Sequence, residues 1–190
     1  MDITKIFKSK AREAIFRLYF TNPDKEYYLR ELERELSTPV SIIRKELLAL
    51  EKAGIFKLSK KGNLSYYSLN KDYPLFNELK NIVFKTIGIQ GALSKLLSSL
   101  KGIETAFIYG SYAKNENDAK SDVDLFIIGN VDEEWLIPKI NKLEKIVYRE
   151  INYSLYTRKD FEKKKKERDT FIEDVIENKK IFLIGDKNDV

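Results

Sequence analysis

In the first third of the chain, apolar residues recur at the 3.6-residue spacing of helices and then change to the alternation of strands. The helical spacing predicts helices over residues 4–20, 28–36 and 40–53. Pro23 stops the first helix and Gly54 ends the third. Alternation then predicts a β-hairpin with strands at 55–58 and 64–69 and its tip at 60–63. We therefore expect three helices followed by a hairpin.

A second apolar stripe with helical spacing runs through residues 72–100 and is interrupted by Gly88 and Gly91. This stretch is predicted to be a helical connector. Beyond it, the pattern predicts strands over residues 104–109, 122–129, 149–157 and 181–184, and helices over residues 132–148 and 158–178. The second half of the chain is therefore expected to be a small domain with helices packed on a mixed sheet.

Composition limits the chemistry. Hydrophobic residues make up 43% of the 190 residues and charged residues 34%, which suits a globular protein of one or two domains. The sequence has no cysteine and no histidine, so disulfides, thiolate or imidazole metal sites and catalysis by either side chain are excluded. Apolar runs fall well short of the roughly 20 residues of a membrane span, and the N-terminus does not resemble a signal peptide. We expect a cytoplasmic protein with no membrane partner.

The net charge of +5 is unevenly distributed. Residues 1–70 hold 14 Lys and Arg against 9 Asp and Glu, a difference of +5, so the remainder of the chain is balanced. The excess points to the first third as the place where a polyanion would bind.

The sequence Asp122-Val123-Asp124 is the stretch that indicates chemistry. Side chains alternate in a strand, so both carboxylates lie on one face, about 7 Å apart at the backbone, beside apolar neighbours. A hard divalent cation relieves the cost of burying them, and Mg²⁺ is the usual choice beside phosphates. Upstream, Gly110 allows a turn and Ser111 opens a short helix whose free N–H groups favour phosphate.

This constellation resembles the nucleotidyltransferase superfamily that includes DNA polymerase beta and the minimal nucleotidyltransferases. Its pattern is an apolar strand, Gly-Ser, a spacer of about ten residues, and Asp-apolar-Asp-apolar; here the spacer is 112–121. The resemblance implies transfer of a nucleoside monophosphate from an NTP to a hydroxyl acceptor, with two Mg²⁺ ions held by Asp122 and Asp124. The alternative is a Gly-Ser turn beside a surface strand with two solvated aspartates.

The resemblance also assigns further residues and exposes departures from the family pattern. A third acid is expected on the strand after the helix, and Glu150 is the candidate catalytic and metal residue, although Asn152 shares its face. Gly110, Ser111 and Lys114 would hold the triphosphate. Lys114-Asn115 stands where many minimal transferases have Arg-Gly, which keeps the charge but not the forked guanidinium geometry.

The three helices and basic hairpin resemble a winged helix-turn-helix domain of the ArsR-type regulators, with residues 41–55 as the most similar run. The resemblance implies binding of duplex DNA, with the third helix in the major groove. It assigns Ser41, Arg44 and Lys45 to the groove and Lys57, Lys60 and Lys61 to phosphates. Because Glu46 and Glu51 dilute the charge of the third helix, the alternative is a winged helix used for protein contacts or dimer formation.

The expected fold class is α+β, with a winged helix-turn-helix domain at 1–70, a helical connector at 71–101 and a nucleotidyltransferase domain at 102–190. Regulators of this type are commonly dimers, so we expect a homodimer in which the connector stripe is buried. Two functional hypotheses follow. The first is an enzyme; the second is a DNA-binding regulator or antitoxin whose transferase domain senses nucleotide or is inactive. Small domains of this kind resemble the antitoxins of toxin–antitoxin pairs that modify a partner protein, so a protein is one expected acceptor.

Overall fold

The structure is a computed structural model that describes residue 7, residues 9–114 and residues 121–190. The chain divides into two compact units, Met1–Gly91 and Ala92–Val190. The boundary falls inside the predicted connector, and the finer division at residues 70 and 101 stays a prediction. Among the described helices, none combines the length and apolarity that crossing a bilayer requires.

The first unit begins with three helices and a hairpin, as the pattern predicts. Its elements are α1 (Lys10–Thr21), β1 (Tyr27–Tyr28), α2 (Leu29–Leu36), α3 (Val40–Lys52), β2 (Phe56–Lys61) and β3 (Leu64–Leu69). Ser9 caps α1 by accepting a hydrogen bond from the Arg12 N–H at 3.1 Å. Residues 4–6 and 8 of the predicted first helix lie outside the described residues. The sheet has the order β1-β3-β2 with antiparallel pairing.

Burial in this unit follows the predicted helical faces. Ile43, Leu47 and Leu50 of α3 are buried, which confirms the inward face that their spacing predicts. The short strand β1 is absent from the sequence-based prediction, because two residues carry no measurable alternation. It is held by pairing of Tyr27 with Tyr67 on β3, an interaction between residues far apart in the chain.

The predicted connector is two helices, α4 (Phe76–Thr86) and α5 (Ile89–Ser98). The break between α4 and α5 lies beside the two glycines of the stripe. A Cβ on Gly91 would overlap the carbonyl of Thr86, so the close approach at the break requires glycine there. Part of the apolar stripe remains on the surface, with Leu75 56% and Ile82 38% exposed.

The second unit is a four-stranded mixed sheet with helices, counted over the residues described. Its elements are β4 (Ile103–Tyr109), α6 (Gly110–Lys114), β5 (Val123–Gly129), α7 (Glu133–Val147), β6 (Ile151–Tyr156), α8 (Arg158–Lys166), α9 (Thr170–Glu177) and β7 (Ile181–Ile184). The strand order is β6-β5-β4-β7, and the parallel pair is β5 with β6. This confirms the predicted mixed sheet.

The single helix predicted at 158–178 is wrong, because the structure has two helices there, α8 and α9. Arg168 has a left-handed backbone with φ 55°, which stops the first helix. Asp169 then caps the second by accepting hydrogen bonds from the N–H groups of Phe171 and Ile172.

One face of this sheet holds an aromatic core. The rings of Phe107 on β4 and Phe126 on β5 stack with centroids 5.2 Å apart. The helices that follow β6 supply Phe161, Ile172 and Val175 to the same cluster. Because side chains alternate along β5, Asp124 projects on the face that carries Phe126, two residues nearer the start of the strand. The carboxylate therefore stands at the edge of this core, where the sheet face meets solvent.

Candidate active site

Gly110 and Asp124 are packed against each other where β4 turns into α6. Gly110 has φ 70°, a backbone conformation that L side chains rarely adopt. A Cβ at this position would overlap Asp124 Oδ2 and lie 3.4 Å from Asp124 Cγ. The Gly-Ser turn and the Asp-x-Asp strand, 14 residues apart in sequence from Gly110 to Asp124, thus form one site, and a side chain at position 110 would displace the carboxylate from its place.

Asp122 and Asp124 interact electrostatically. Asp122 is exposed immediately before β5, whereas Asp124 is partly buried within it. Burial, and secondly the charge of Asp122, raise the pKa of Asp124 above that of an ordinary aspartate. The two carboxylates repel each other, as the prediction that they share a face requires.

The donor set fits a divalent cation that is shared with a phosphate ligand. Mg²⁺ is bound in such sites by one or two carboxylates together with substrate phosphates, and it retains waters. Asp122 and Asp124 supply the carboxylates, and the exposure of Asp122 lets solvent supply the remaining ligands. Within residues 7, 9–114 and 121–190, no group of three or more acidic side chains is arranged to hold a metal ion.

The start of β6 brings the backbone of Glu150 and the side chain of Asn152 to the strand that carries the aspartates. The backbone carbonyl of Glu150 accepts a hydrogen bond from Val123 N–H at 2.9 Å, and its side chain is exposed. Asn152 lies directly opposite Asp124 in the parallel pairing, and its Nδ2 is 3.4 Å from Asp122 Oδ2. The contact to the aspartate pair therefore comes from the asparagine side chain, and the role of Glu150 as third acid stays a prediction.

The remaining predicted site residues lie on α6. Ser111 is partly buried and Lys114 is exposed. Tyr112 and Ala113 are buried, which anchors this five-residue helix against its own unit. Asn115, which stands where many minimal transferases have glycine, lies outside the described residues.

Two residues near the site escape sequence reasoning. The Arg149 Nη1 donates a hydrogen bond to the carbonyl of Ser121 at 3.2 Å, which ties the start of β6 to the residue before Asp122.

Tyr109 lies opposite Asp124 in the antiparallel pairing of β4 and β5. Burial raises the pKa of the Tyr109 phenol. A hydrogen bond with Ser154 lowers this pKa, and the charge of Asp124 raises it further. The sequence signal for Tyr109 is its position: it is an aromatic residue with a hydroxyl group, immediately before Gly110.

On the first unit, the groove residues assigned from the sequence lie together on the exposed side of α3. Ser41, Arg44 and Lys45 are all exposed. Glu46 does not share that side, because its carboxylate accepts hydrogen bonds from Ser9 at 2.8 Å and Arg12 at 2.7 Å. Burial acts to raise the pKa of Glu46, but these two partners lower it overall.

The three hairpin lysines differ in their partners. Lys57 forms an ion pair with Asp72 at 2.6 Å, and Lys61 forms one with Glu26. Lys60 is exposed and makes no ion pair with the residues that the structure describes. Exposed pairs of this kind contribute little to stability, so a competing phosphate can displace the acidic partner at small cost.

Known proteins resemble parts of this chain. Residues 91–183 match the family model described as nucleotidyltransferase domain. An uncharacterized HTH-type transcriptional regulator of Methanocaldococcus jannaschii is 37% identical over 91 residues, which cover 46% of this chain and 22% of that relative.

Two solved structures also overlay on 53% of this chain and 76% of their own. One is described as a toxin-antitoxin with AMP-PNP (TM-score 0.40, 16% identity). The other is a mutant of the toxin-antitoxin MntA-HpeT (TM-score 0.39, 13% identity). The family match covers both halves of the site, the turn at Gly110 and the aspartates of β5. Residues 91–183 are therefore a nucleotidyltransferase domain.

Proposed function

We propose that this chain transfers a nucleoside monophosphate from an NTP to a hydroxyl acceptor and releases pyrophosphate. The observation that carries the proposal is the packing of Gly110 on Asp124, with Asp122 beside it. This contact places the turn at Gly110 directly beside the carboxylate of Asp124, so one ligand can touch both. A surface strand with two solvated aspartates does not require a glycine at the neighbouring turn.

Asp122 and Asp124 are the proposed ligands of two Mg²⁺ ions, and Glu150 completes one of the two sites. Bound Mg²⁺ supplies neutralisation of the charge on the triphosphate and on the attacking oxygen. Gly110 admits the triphosphate close to the backbone, Ser111 offers its hydroxyl and N–H, and Lys114 offers a positive charge at the exposed end of α6. Positioning and charge compensation are the main contributions that a protein makes to phosphoryl chemistry of this kind.

We further propose that the first unit is a winged helix-turn-helix that binds duplex DNA. Ser41, Arg44 and Lys45 form the groove-facing side of α3, and Lys57, Lys60 and Lys61 contact phosphates from the hairpin. The ion pair between Glu46 and Arg12 supports this, because it removes from the exposed side of α3 one of the two acids that argue against DNA binding. A homodimer and a cytoplasmic location belong to the same proposal.

The decisive experiment uses NTPs labelled on the α-phosphate or on the γ-phosphate, incubated with the purified chain, Mg²⁺ and lysate. Nucleotidyl transfer attaches the α-label to an acceptor and leaves the γ-label in pyrophosphate. Asp122→Asn should abolish the transfer, whereas Glu134→Gln on the exposed side of α7 should not. Label on a protein band identifies a partner protein as the acceptor.

The same experiment tests the alternative, a regulator that only senses nucleotide. In that case Mg²⁺–NTP binds to the wild type with measurable affinity but no acceptor, including the chain itself, gains the α-label. Binding that is equal in wild type and Asp122→Asn contradicts both hypotheses, since each places the nucleotide at the aspartates.

A further inference from the structure

Phe171 is an aromatic residue that remains partly on the surface beside the candidate site. It lies in the first turn of α9, with its ring 38% exposed. Its backbone N–H donates a hydrogen bond to Asp169 Oδ1 at 3.1 Å, so its backbone is held by the helix cap. One side of the ring packs on the core, with its centroid 6.2 Å from that of Phe126.

Tyr109 connects Phe171 to the aspartates. Its ring centroid is 6.1 Å from that of Phe171 and 6.0 Å from that of Phe126. Tyr109 and Asp124 are directly paired across β4 and β5, so one strand spacing of about 4.8 Å separates their backbones. The hydroxyl of Tyr109 is engaged with Ser154 on β6, which holds the ring across β5 beside Asp124. From Asp124 outward, the surface therefore changes from carboxylate to phenol to exposed aromatic ring.

This order of groups matches the order of groups in a nucleotide. Phosphates belong at the carboxylate end with the cation, and the base is the apolar, planar end of the molecule. The geometry points to Phe171 and Tyr109 as the subsite for the nucleobase of the NTP, with the base stacked on the exposed side of Phe171. The inference rests on the proposed function, because it takes the phosphates to lie at Asp122 and Asp124.

The chemistry of the subsite indicates a neutral aromatic ligand. A base stacks on an aromatic side chain through its π-face, so Phe171 recognises the ring rather than a particular edge. The neighbouring polar groups are the Ser154 hydroxyl, the Tyr109 hydroxyl and the Asp174 carboxylate, which also raises the pKa of Tyr109. An anionic group would be repelled here, and this excludes the phosphates from the Phe171 end.

The test compares two ligands by calorimetry: Mg²⁺–ATP, which has a base, and Mg²⁺–tripolyphosphate, which has none. In Phe171→Ala the affinity for ATP should fall about tenfold, and the affinity for tripolyphosphate should stay within error of wild type. Phe171→Tyr should keep the ATP affinity because it keeps the ring. Trp135→Ala, which removes a 67% exposed aromatic from α7, is the matched control and should change neither affinity.

Phe171→Leu separates stacking from packing, because leucine retains apolar volume on the core without a π-face. The expected result is an ATP affinity as low as in Phe171→Ala with a melting temperature close to wild type. An ATP affinity in Phe171→Leu equal to that of wild type overturns the inference, as does a parallel loss for both ligands in Phe171→Ala. If the wild type binds tripolyphosphate and ATP equally well, the base subsite is wrong but the phosphate site stands. If it binds neither, the proposed function fails as well.

Discussion

Asn152 places its Nδ2 3.4 Å from Asp122 Oδ2, from the position on β6 that is directly opposite Asp124. An uncharged side chain thus contacts the aspartate pair where a third acid could stand. A neutral amide adds no negative charge to the aspartate pair, whereas an acid would repel both aspartates until a cation binds. The asparagine therefore contacts the pair without adding a third negative charge to it.

Asn152→Asp should make the fold depend on divalent cations. Without Mg²⁺, the added carboxylate costs about 1 kcal/mol of Coulomb repulsion, which corresponds to a fall in melting temperature of about 2–4 °C. Saturating Mg²⁺ should return the melting temperature to that of the wild type. Thermal melts in EDTA and in Mg²⁺ measure the fall in melting temperature and its reversal. Asn141→Asp on the exposed side of α7 is the charge-matched control. A variant that melts identically in the two buffers contradicts the contact between these side chains.

Gly110→Ala should damage the site and the fold together. The left-handed backbone alone costs roughly 1–2 kcal/mol for an L side chain, and the overlap with Asp124 Oδ2 adds to it. Gly62→Ala is the matched control, because Gly62 has φ 58° with no atom within 4 Å of the added Cβ. Urea unfolding should give a larger loss of unfolding free energy at Gly110 than at Gly62. Equal losses would mean that the overlap is relieved by a movement of Asp124.

The pKa of Asp124 should be above that of an ordinary aspartate when no divalent cation is present. Because its folded pKa is raised by burial and by Asp122, Asp124 stabilises the fold at pH values below its ordinary pKa of 3.8. That contribution is lost as the pH rises through the raised folded pKa.

Asp122→Asn should lower the pKa of Asp124 by removing the neighbouring charge, whereas Glu134→Gln should leave it unchanged. A carboxyl-carbon NMR titration in EDTA measures the shift. If the pKa of Asp124 is the same in wild type and Asp122→Asn, the two carboxylates do not interact.

Lys60→Ala should weaken binding of duplex DNA and reduce the slope of log affinity against log salt by about 0.9, the effect of one phosphate contact. Lys60 has no competing acid among the described residues, whereas Lys61 is paired with Glu26. Glu26→Gln should accordingly strengthen DNA binding by freeing Lys61.

A mobility-shift series from low to high salt measures these changes, and Lys142→Ala on α7 controls for net charge alone. Wild-type protein that binds no DNA at low salt would identify the first unit as a module for protein contacts or dimer formation.

Glu150→Gln should lower turnover on the order of 10²-fold while leaving NTP affinity nearly unchanged. The reason is that a residue which orients or deprotonates the attacking hydroxyl acts mainly in the transition state. The measurements are single-turnover transfer of the α-label and calorimetry with Mg²⁺–NTP. Full activity in this variant would assign the third role to Asn152, whose side chain contacts Asp122.

The local features of this protein could be predicted from its sequence. The inward face of α3 and the hairpin follow from the spacing of apolar residues, because 3.6-residue and two-residue periods each present one face to a core. The strands β4 and β5 follow instead from short continuous apolar runs, whose central residues are buried in succession. The pairing of Gly110 with the aspartates was also predictable as a pattern, since a spacer of about ten residues joins the turn to the strand. The break between α8 and α9 has a local signal as well, the cap at Asp169, which the charged run around it obscures.

Contacts between distant segments were decided by the tertiary structure alone. The helical period does not reveal that Glu46 pairs with Arg12, 34 residues earlier, nor that Lys61 pairs with Glu26. In the same way, the register of β6 against β5, and not the order of residues, brings Asn152 to Asp122. Apolar periodicity specifies which face of an element is buried, but a charged side chain on the surface is placed by whichever neighbours packing brings within reach. The sequence by itself therefore determined most of the elements and the candidate chemistry, and the packing determined which charges remain available to a ligand.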